Sequence, residues 1–309
     1  MSAIEVKDVA HDYGARRALD GLSFQVEAGE VFGLLGPNGG GKTTLFRILS
    51  TLMAPTAGHA RVLGLDTVES PAAVRRKIGV VFQSPSLDRK LTVAENLLYQ
   101  GALYAMPPRV ARERAAAMLQ RVGLTDRAGE RVEKLSGGLR RRVELAKGLL
   151  HAPEVLLLDE PSTGLDPGGR RDLWTYLREI RDKDGVTSLL TTHLMEEAEH
   201  CDRLAILDRG RLVALGTPAA LRAEIGGDVL TLTTAEPESL RDGLQERFGL
   251  EAAVVDGKVR LEHAEGHVLI PQLVEAFSRR IEAVAVGKPT LEDVFVKKTG
   301  HRFWSEEEA

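Results

Sequence analysis

The sequence predicts an α/β fold whose core is a mainly parallel sheet, with an antiparallel β edge and a small second α/β domain. A glycine-rich loop at residues 36–43 joins a buried apolar run to a helix-like segment. A second apolar run, residues 155–158, is too short for a helix and is typical of a strand buried on both faces of a parallel sheet. The composition changes at Gly226-Gly227, which indicates a domain boundary. We expect a first domain over 1–225 with a helical subdomain near 84–140, a second domain over 226–302, and an acidic, solvated tail over 303–309.

Alternation of apolar and polar residues over 4–26, with turn signals at 12–14 and 20–21, predicts antiparallel strands at the N-terminus. Residues 92–122 have a helical pattern that Pro107-Pro108 interrupts. Other strands are predicted at 61–63, 78–82, 187–191, 204–207 and 212–214, and other helices at 139–150, 170–183 and 195–200. In the second domain we expect strands at 229–233 and 281–286, a hairpin around Asp256-Gly257, and helices at 239–248, 268–279 and 291–298.

Composition narrows the class of protein. The chain has 309 residues, of which 43% are hydrophobic and 28% charged, as in ordinary globular proteins. The formal net charge of -4 argues against a nucleic-acid partner, and we expect no membrane span. Cys201 is the only cysteine, so no internal disulfide is expected and we interpret this residue as structural.

The glycine-rich loop at 36–43 has the strand-before, helix-after context of a phosphate-binding P-loop. Glycines let backbone N–H groups converge on phosphate oxygens, and the helix N-terminus adds its positive end. Lys42 would reach the β- and γ-phosphates, and the Thr43 hydroxyl would bind Mg²⁺. The simpler alternative is a glycine-rich turn before a helix. The nucleotide-binding residues predicted here are Gly36, Asn38, Gly39, Gly40, Gly41, Lys42, Thr43 and Thr44.

Two acidic residues, Asp159 and Glu160, end the buried strand at 155–158. A P-loop fold places its Mg²⁺ partner at such a strand end, which predicts that Asp159 holds the ion. Glu160 lies one step further, where it could polarise an attacking water. The alternative is a strand-to-loop junction with two solvated acids.

Ser136, Gly137 and Gly138 precede a predicted helix and could form a second anion site by the same physics as the first. Alone, this segment would be better explained as an N-cap serine with permissive glycines. A second phosphate site makes sense where two chains share one nucleotide.

These motifs together resemble the nucleotide-binding subunit of an ABC transporter. The resemblance covers residues 13 to about 217, in the order P-loop, glutamine loop at Gln83, signature from Leu135, acidic strand end, loop 162–166 and switch histidine His193. It implies ATP and Mg²⁺ as ligands and a head-to-tail homodimer. In that dimer each ATP lies between the P-loop of one chain and the signature of the other.

The resemblance also implies roles for single residues. Tyr13 would stack on adenine, although an aromatic residue in a strand turn is the alternative. Gln83 would contact Mg²⁺ or the attacking water, and His193 the γ-phosphate. Ser136, Gly137 and Gly138 would bind the opposite chain's nucleotide, and Asp166 would line the interface. The catalytic set is then Glu160, His193, Gln83 and Lys42, and the metal set Thr43, Gln83 and Asp159.

Two positions depart from the family pattern: Leu139 replaces the usual signature glutamine, and Gly40 stands where alanine or serine is commoner. Neither removes a phosphate ligand, so we expect an active ATPase. The run Arg140-Arg141-Arg142 is interpreted as a solvated helix face or as a group near the phosphates, and not as a nucleic-acid contact.

The C-terminal residues 289–295 and 298–300 resemble the tail of daunorubicin-resistance-type export ATPases. That resemblance implies separately encoded ABC-2-type permease partners and a location on the cytoplasmic face of the membrane. The exported substrate would be of a drug, antibiotic, lipid or polysaccharide class. The alternative function is a soluble ABC-type mechanoenzyme that is not coupled to a membrane channel.

Overall fold

The computed structural model describes residues 2–303, which form two compact units divided between Leu212 and Val213. This division precedes the boundary expected at 225–226. The reason is that helix Pro218–Ala223 packs on helix Leu291–Thr299, within the C-terminal unit.

The acidic tail expected over 303–309 falls almost wholly outside the described residues. Phe303, its first residue, is 2% exposed and packs edge-on against Phe295, with ring centroids 5.0 Å apart.

Regular elements of the N-terminal unit agree with the sequence pattern and add α2 and β5, which the pattern did not indicate. The strands are β1 (Ser2–Tyr13), β2 (Arg16–Glu27), β3 (Val31–Leu35), β4 (Ala57–Val62), β5 (Leu65–Asp66), β6 (Ile78–Val81), β7 (Val155–Asp159), β8 (Thr187–Thr192), β9 (Arg203–Asp208) and β10 (Arg211–Gly216), the last of which crosses the division. The α-helices are α1 (Lys42–Leu49), α2 (Pro71–Lys77), α3 (Val93–Leu103), α4 (Pro108–Arg121), α5 (Gly137–Leu149), α6 (Pro167–Asp184) and α7 (Met195–Ala198).

The central sheet has the strand order β10-β9-β3-β8-β7-β6, and the ladders β9-β3, β3-β8, β8-β7 and β7-β6 are parallel. Every residue of β3, β7 and β8 is buried, which explains the apolar runs of β3 and β7. In β8 the buried residues include four with hydroxyl groups, two on each side of Leu189 and Leu190. Because parallel strands end at the same edge, the segments after β3, β6, β7 and β8 lie close together there. The parallel core expected from the sequence is confirmed.

A second sheet, with the order β2-β1-β4-β5, forms the antiparallel edge. The turn expected at Asp20-Gly21 is wrong, because β2 runs through it. Val9 pairs with Leu22 and His11 with Leu19, so β2 has one extra residue in this interval. Gly21 has φ +68, and the extra residue makes a β-bulge rather than a chain reversal.

The helical subdomain is built from α3, α4 and α5, which pack together around a buried apolar cluster. Thr92 caps α3 and forms a reciprocal capping box with Glu95, which explains the start of that helix. Among the described residues, no helix combines the length and the apolar character that crossing a membrane requires.

Cys201 packs against the backbone of β3. A Cβ atom added at Gly33 would lie 2.8 Å from the Cys201 Sγ, so glycine is needed for this close approach. The thiol is 5% exposed, and burial raises its pKa. This environment fits an inert packing residue.

The C-terminal unit is the small α/β domain that the sequence indicated. Its elements are α8 (Pro218–Ala223), β11 (Asp228–Thr233), α9 (Pro237–Phe248), β12 (Ala252–Val255), β13 (Lys258–His263), α10 (Gly266–Ala276), β14 (Ala283–Gly287) and α11 (Leu291–Thr299). The strands form an antiparallel sheet in the order β12-β13-β11-β14. Apolar side chains of α9 and α10 pack on its inner face.

Candidate functional site

The glycine loop between β3 and α1 has a backbone that other residues could not adopt without strain. Gly39 has φ +74 and Gly41, the N-cap of α1, has φ +101. A Cβ atom at Gly41 would lie 2.7 Å from Leu19 Cδ2 and 2.8 Å from the Ala18 carbonyl. The glycines therefore let the loop curve tightly into the N-terminus of α1, the end of a helix that attracts an anion.

Lys42, the first residue of α1, lies within this loop. Its Nζ donates hydrogen bonds to the carbonyls of Gly36 at 2.7 Å and Pro37 at 2.9 Å, and the residue is 5% exposed. These bonds hold the ammonium group at the centre of the loop, where a polyphosphate would meet it. Next to it, Thr43 is exposed and Thr44 is buried.

A cavity of 330 Å³ lies beside the loop. Arg16 and Arg47 line it together with Lys42, so three cationic side chains face the same space. Its other lining residues are Tyr13, Ala18, Asn38, Gly39, Gly40, Gly41, Thr43, Thr44, Gln83 and Glu160. Arg16 and Arg47 were not predicted as site residues from the sequence. The only signal for them in the sequence is a basic side chain near the loop.

Tyr13 is placed at the wall of this cavity. Its side chain is 43% exposed, its ring lies edge-on to His11, and its hydroxyl donates to Met53 Sδ at 3.4 Å. One face of the ring is therefore open to a planar ligand, and the hydroxyl is held by its bond to Met53.

The carboxylate of Glu160, immediately after β7, contacts three side chains, one from its own loop and two from other segments. Gln83 Nε2 donates to Oε2 at 3.0 Å, and the Thr163 hydroxyl donates to the same oxygen at 3.3 Å. His193 Nδ1 lies 3.1 Å from Oε1. Glu160 itself has φ +43, a left-handed conformation that is strained for this residue type. Its carboxylate is therefore held in one direction, at the rim of the cavity.

Thr191, on β8, connects the two acidic residues. Its hydroxyl donates to Asp159 Oδ1 at 2.6 Å and accepts the N–H of Glu160 at 2.9 Å. Burial raises the pKa of Asp159, and the bond from Thr191 partly opposes that change. The sequence pattern predicted only that Thr191 lies in a strand, and not that it contacts the two acidic residues.

The residues predicted to hold Mg²⁺ fit that ion. Thr43, Gln83 and Asp159 offer hydroxyl, amide and carboxylate oxygens, which are the donors Mg²⁺ prefers. No group of three or more His, Cys, Asp or Glu side chains suited to a metal occurs within residues 2–303.

The signature residues lie elsewhere on the unit. Ser136 caps α5, its hydroxyl accepting the Leu139 N–H at 3.3 Å. A Cβ atom added at Gly137 would lie 3.6 Å from the Gly164 carbonyl oxygen, and one added at Gly138 would lie 3.9 Å from Leu165 Cδ2. Asp166 caps α6 by accepting the Gly169 N–H at 2.9 Å. Of the described residues, those lining the P-loop cavity do not include Ser136, Gly137, Gly138 or Asp166.

Leu139, in the position usually held by glutamine, is half-buried and packs against the apolar cluster of the helical subdomain. The interpretation of Arg140-Arg141-Arg142 as a solvated face is wrong for Arg141. Its side chain is 8% exposed and forms an ion pair with Glu144.

The fold and this loop define a P-loop nucleotide-binding protein. Residues 19–163 match the ABC transporter family. The chain is 42% identical to a daunorubicin resistance ATP-binding protein of Streptomyces coeruleorubidus, over 97% of this chain and 96% of that protein. It is also 42% identical to the Nod factor export ATP-binding protein I of Paraburkholderia xenovorans, over 97% of each chain.

Two solved structures extend the comparison. CbiO1 from Clostridium perfringens, part of the ABC transporter complex CbiONQ, aligns with a TM-score of 0.67 and 27% identity over 80% of this chain and 96% of its own. A dimeric ATP-binding cassette bound to ADP and Pi aligns with a TM-score of 0.63 and 28% identity, over 69% of this chain and 98% of its own. The chain belongs to the ABC transporter family, as an ATP-binding subunit. It is an ATPase of the kind that couples ATP hydrolysis to transport.

Proposed function

We propose that this chain energises an exporter: two copies close on two ATP molecules, hydrolyse them and reopen, and this cycle drives separate ABC-2-type membrane subunits. The observation that carries the catalytic part is the meeting of Gln83, Glu160 and His193 beside the P-loop cavity. These side chains follow three different strands of the central sheet and converge at one carboxylate.

ATP binding is supported by the shape and charge of the loop. The triphosphate would lie against the N-terminus of α1, with Lys42, Arg16 and Arg47 around it. The adenine would rest on the exposed face of Tyr13. Three cationic side chains in one cavity favour a strongly anionic ligand, such as a triphosphate, over an uncharged one.

Hydrolysis is assigned to Glu160, whose carboxylate would orient and polarise the attacking water. Gln83 and His193 hold that carboxylate, and each can also contact the γ-phosphate or its water. When bound, Mg²⁺ would supply charge neutralisation for the phosphates, held by Thr43, Gln83 and Asp159. Thr191 keeps Asp159 and Glu160 in fixed relation.

A homodimer is supported by the separation of the two anion sites. Ser136, Gly137 and Gly138 lie at a helix N-terminus that does not line the cavity of their own chain. In a head-to-tail pair they would close over the γ-phosphate of the other chain, with Asp166 at the interface. A related cassette has been seen as a dimer with ADP and Pi.

The shared site can be tested by mixing two inactive variants, Lys42→Ala and Ser136→Ala. Each homodimer lacks one part of both sites, whereas a heterodimer retains one intact site. We expect each variant alone to lose most ATP turnover and the equimolar mixture to recover up to about a quarter of the parent rate, as random pairing would give. A mixture no more active than its components would contradict the head-to-tail arrangement.

Export, with a drug, antibiotic, lipid or polysaccharide class of substrate, is supported by similarity across 97% of the chain to proteins named for daunorubicin resistance and Nod factor export. In such an exporter the subunit would lie on the cytoplasmic face of the membrane, held by its permease. Affinity capture of the tagged chain from its host, with a Glu160→Gln variant and ATP, should recover a separately encoded membrane protein with about six spans. Recovery with ribosomes or nucleic acid and without any membrane protein would favour the soluble mechanoenzyme instead.

A further inference from the structure

Arg141, on the second turn of α5, connects two loops of the candidate active site through its guanidinium group. Nη1 donates to the Phe82 carbonyl at 2.8 Å, and Nε donates to the Pro161 carbonyl at 2.6 Å. Nη2 donates to the carbonyls of Asp159 at 3.3 Å and Glu160 at 3.2 Å. One side chain thus binds the residue before Gln83 and three consecutive residues around Glu160.

Glu144, one turn further along α5, completes this arrangement. Its Oε2 lies 2.9 Å from Arg141 Nη1, and its Oε1 accepts the Ser86 N–H at 2.7 Å. Lys147, on the next turn, donates to the Ser86 carbonyl at 2.6 Å. The loop that carries Gln83 is therefore held along one face of α5 at both of its ends.

The arrangement is more specific than stability alone requires. Arg141 and Glu144 have side chains that are 8% and 4% exposed, and a buried ion pair is weak evidence for net stabilisation. The planar guanidinium, however, presents five donors in a fixed fork, which a lysine cannot reproduce. Here the fork fixes the two backbone segments whose side chains, Gln83 and Glu160, meet at 3.0 Å.

The same helix begins at Ser136, which caps it. At 1.5 Å per residue, Arg141 lies about 7.5 Å along the axis from that cap. A displacement of the N-terminus of α5 would therefore move the guanidinium and the carbonyls bound to it. Under the proposed function, the cap of α5 contacts the nucleotide of the opposite chain.

We propose that Arg141 is a positioning residue that holds Gln83 and Glu160 in their reactive arrangement. Through α5 it transmits the engagement of the partner's nucleotide at Ser136 to the catalytic carboxylate of its own chain. This inference rests on the proposed function for the second step, whereas the first step concerns the geometry of one chain.

The test compares Arg141→Lys with Arg142→Lys in the full-length chain. Lysine at 141 keeps a positive charge next to Glu144 but loses the fork. The same change at Arg142 affects an exposed ion pair with Asp172 and a bond to the Val122 carbonyl, neither of which involves the loops that carry Gln83 and Glu160. For Arg141→Lys we expect kcat to fall at least about tenfold, ATP affinity to stay within about twofold, and the Hill coefficient for ATP to approach one. Arg142→Lys should match the parent.

Hydrogen exchange supplies a readout that is independent of turnover. Amides in residues 82–86 and 159–163 should exchange at least about tenfold faster in Arg141→Lys, with those of α4 unchanged. If the unmodified protein did not turn over ATP, the proposed function would be contradicted. The hydrogen-exchange rates of Arg141→Lys would still show whether Arg141 holds the two loops in place. Parent-like exchange and kcat in Arg141→Lys would overturn the inference. Equal losses of kcat, ATP binding and thermal stability would also overturn it, because they would indicate a purely structural residue.

Glu144→Gln is a second variant, which keeps the test decisive if Arg141→Lys fails to fold. Glutamine keeps an oxygen for Ser86 and leaves the carbonyl bonds of Arg141 in place, so kcat should remain above about half of the parent value. A loss as large as that of Arg141→Lys would assign the effect to the ion pair and contradict the role of the carbonyl bonds.

Discussion

His193 and Glu160 meet at the edge of the central sheet, where the Nδ1 atom of His193 lies 3.1 Å from Oε1 of Glu160. The first residue follows β8 and the second follows β7, so the parallel pairing of these strands creates the contact. With Gln83 and Thr163 on the other oxygen, the carboxylate has partners on both sides. Its orientation is therefore set before any ligand binds.

Replacing Glu160 with Gln should separate ATP binding from hydrolysis. Glutamine keeps the size of the side chain but cannot accept a proton from water, so turnover should fall by about 10²- to 10⁴-fold. ATP should still bind and should hold the dimer closed, which size-exclusion chromatography with and without ATP would show. Glu196→Gln, an exposed change on α7, is the matched control and should behave as the parent. Parent-level turnover in Glu160→Gln would remove this residue from the catalytic role.

Thr191→Val should damage both acidic residues at once. The change removes the hydroxyl bound to Asp159 Oδ1 and to the Glu160 N–H, and leaves these buried groups without that partner. We expect a loss of about 1–3 kcal/mol in unfolding free energy and a fall in kcat of at least about tenfold. Thr191→Ser retains the hydroxyl and should recover most of both losses in denaturant titrations and ATPase assays. Equal effects of the two variants would show that the methyl group, not the hydroxyl, matters.

Gly41→Ala should weaken ATP binding beyond what backbone strain explains. The added Cβ would meet Leu19 Cδ2 at 2.7 Å and the Ala18 carbonyl at 2.8 Å, at φ +101. Gly14→Ala is the matched control, because it has φ +60 and no atom within 4 Å of the added Cβ. The control should cost about 1 kcal/mol of stability and leave the ATP dissociation constant unchanged. Calorimetric titration should show weaker binding for Gly41→Ala alone; similar constants for both variants would contradict a loop that must curve this tightly.

Asp159→Asn should stabilise the chain while abolishing ATP turnover. Burial raises the pKa of Asp159 above its ordinary value of 3.8. Such a carboxyl contributes stability that is fully present below its unfolded pKa and is lost as the pH rises through the folded pKa. Asparagine escapes this loss and keeps an oxygen for Thr191, so the gain in melting temperature should grow with pH and vanish in acid.

Thermal unfolding between about pH 4 and pH 8, without nucleotide or Mg²⁺, measures this difference. A gain that is constant across the range would mean that the ionisation of Asp159 is not its source.

The parallel core was predictable because residues 31–35 and 155–158 are short apolar runs, which β3 and β7 bury on both faces, a pattern that leaves few alternatives. A turn was predicted at Gly21, where the chain forms a bulge, because a glycine with positive φ is suited to either. The single buried apolar residue of α2, Val74, gives too weak a periodicity to reveal that helix.

The candidate site was predictable to the extent that its residues occupy recognisable motifs. Thr191 and Arg141 were missed for a different reason. Their importance comes from contacts with residues far away in the sequence, as when Arg141 reaches the Phe82 carbonyl. An arginine in a basic run has no local feature that distinguishes a buried guanidinium from a solvated one.

The close packing of Cys201 on Gly33 makes the chain a convenient background for labelling. The only native thiol is 5% exposed and inert, so maleimide reagents should leave the unmodified protein untouched. A cysteine introduced at Leu103, which is 81% exposed at the end of α3, would then carry a spin label or fluorophore selectively. Distances between such labels in two copies would follow the opening and closing of the pair in solution, without first removing a native residue.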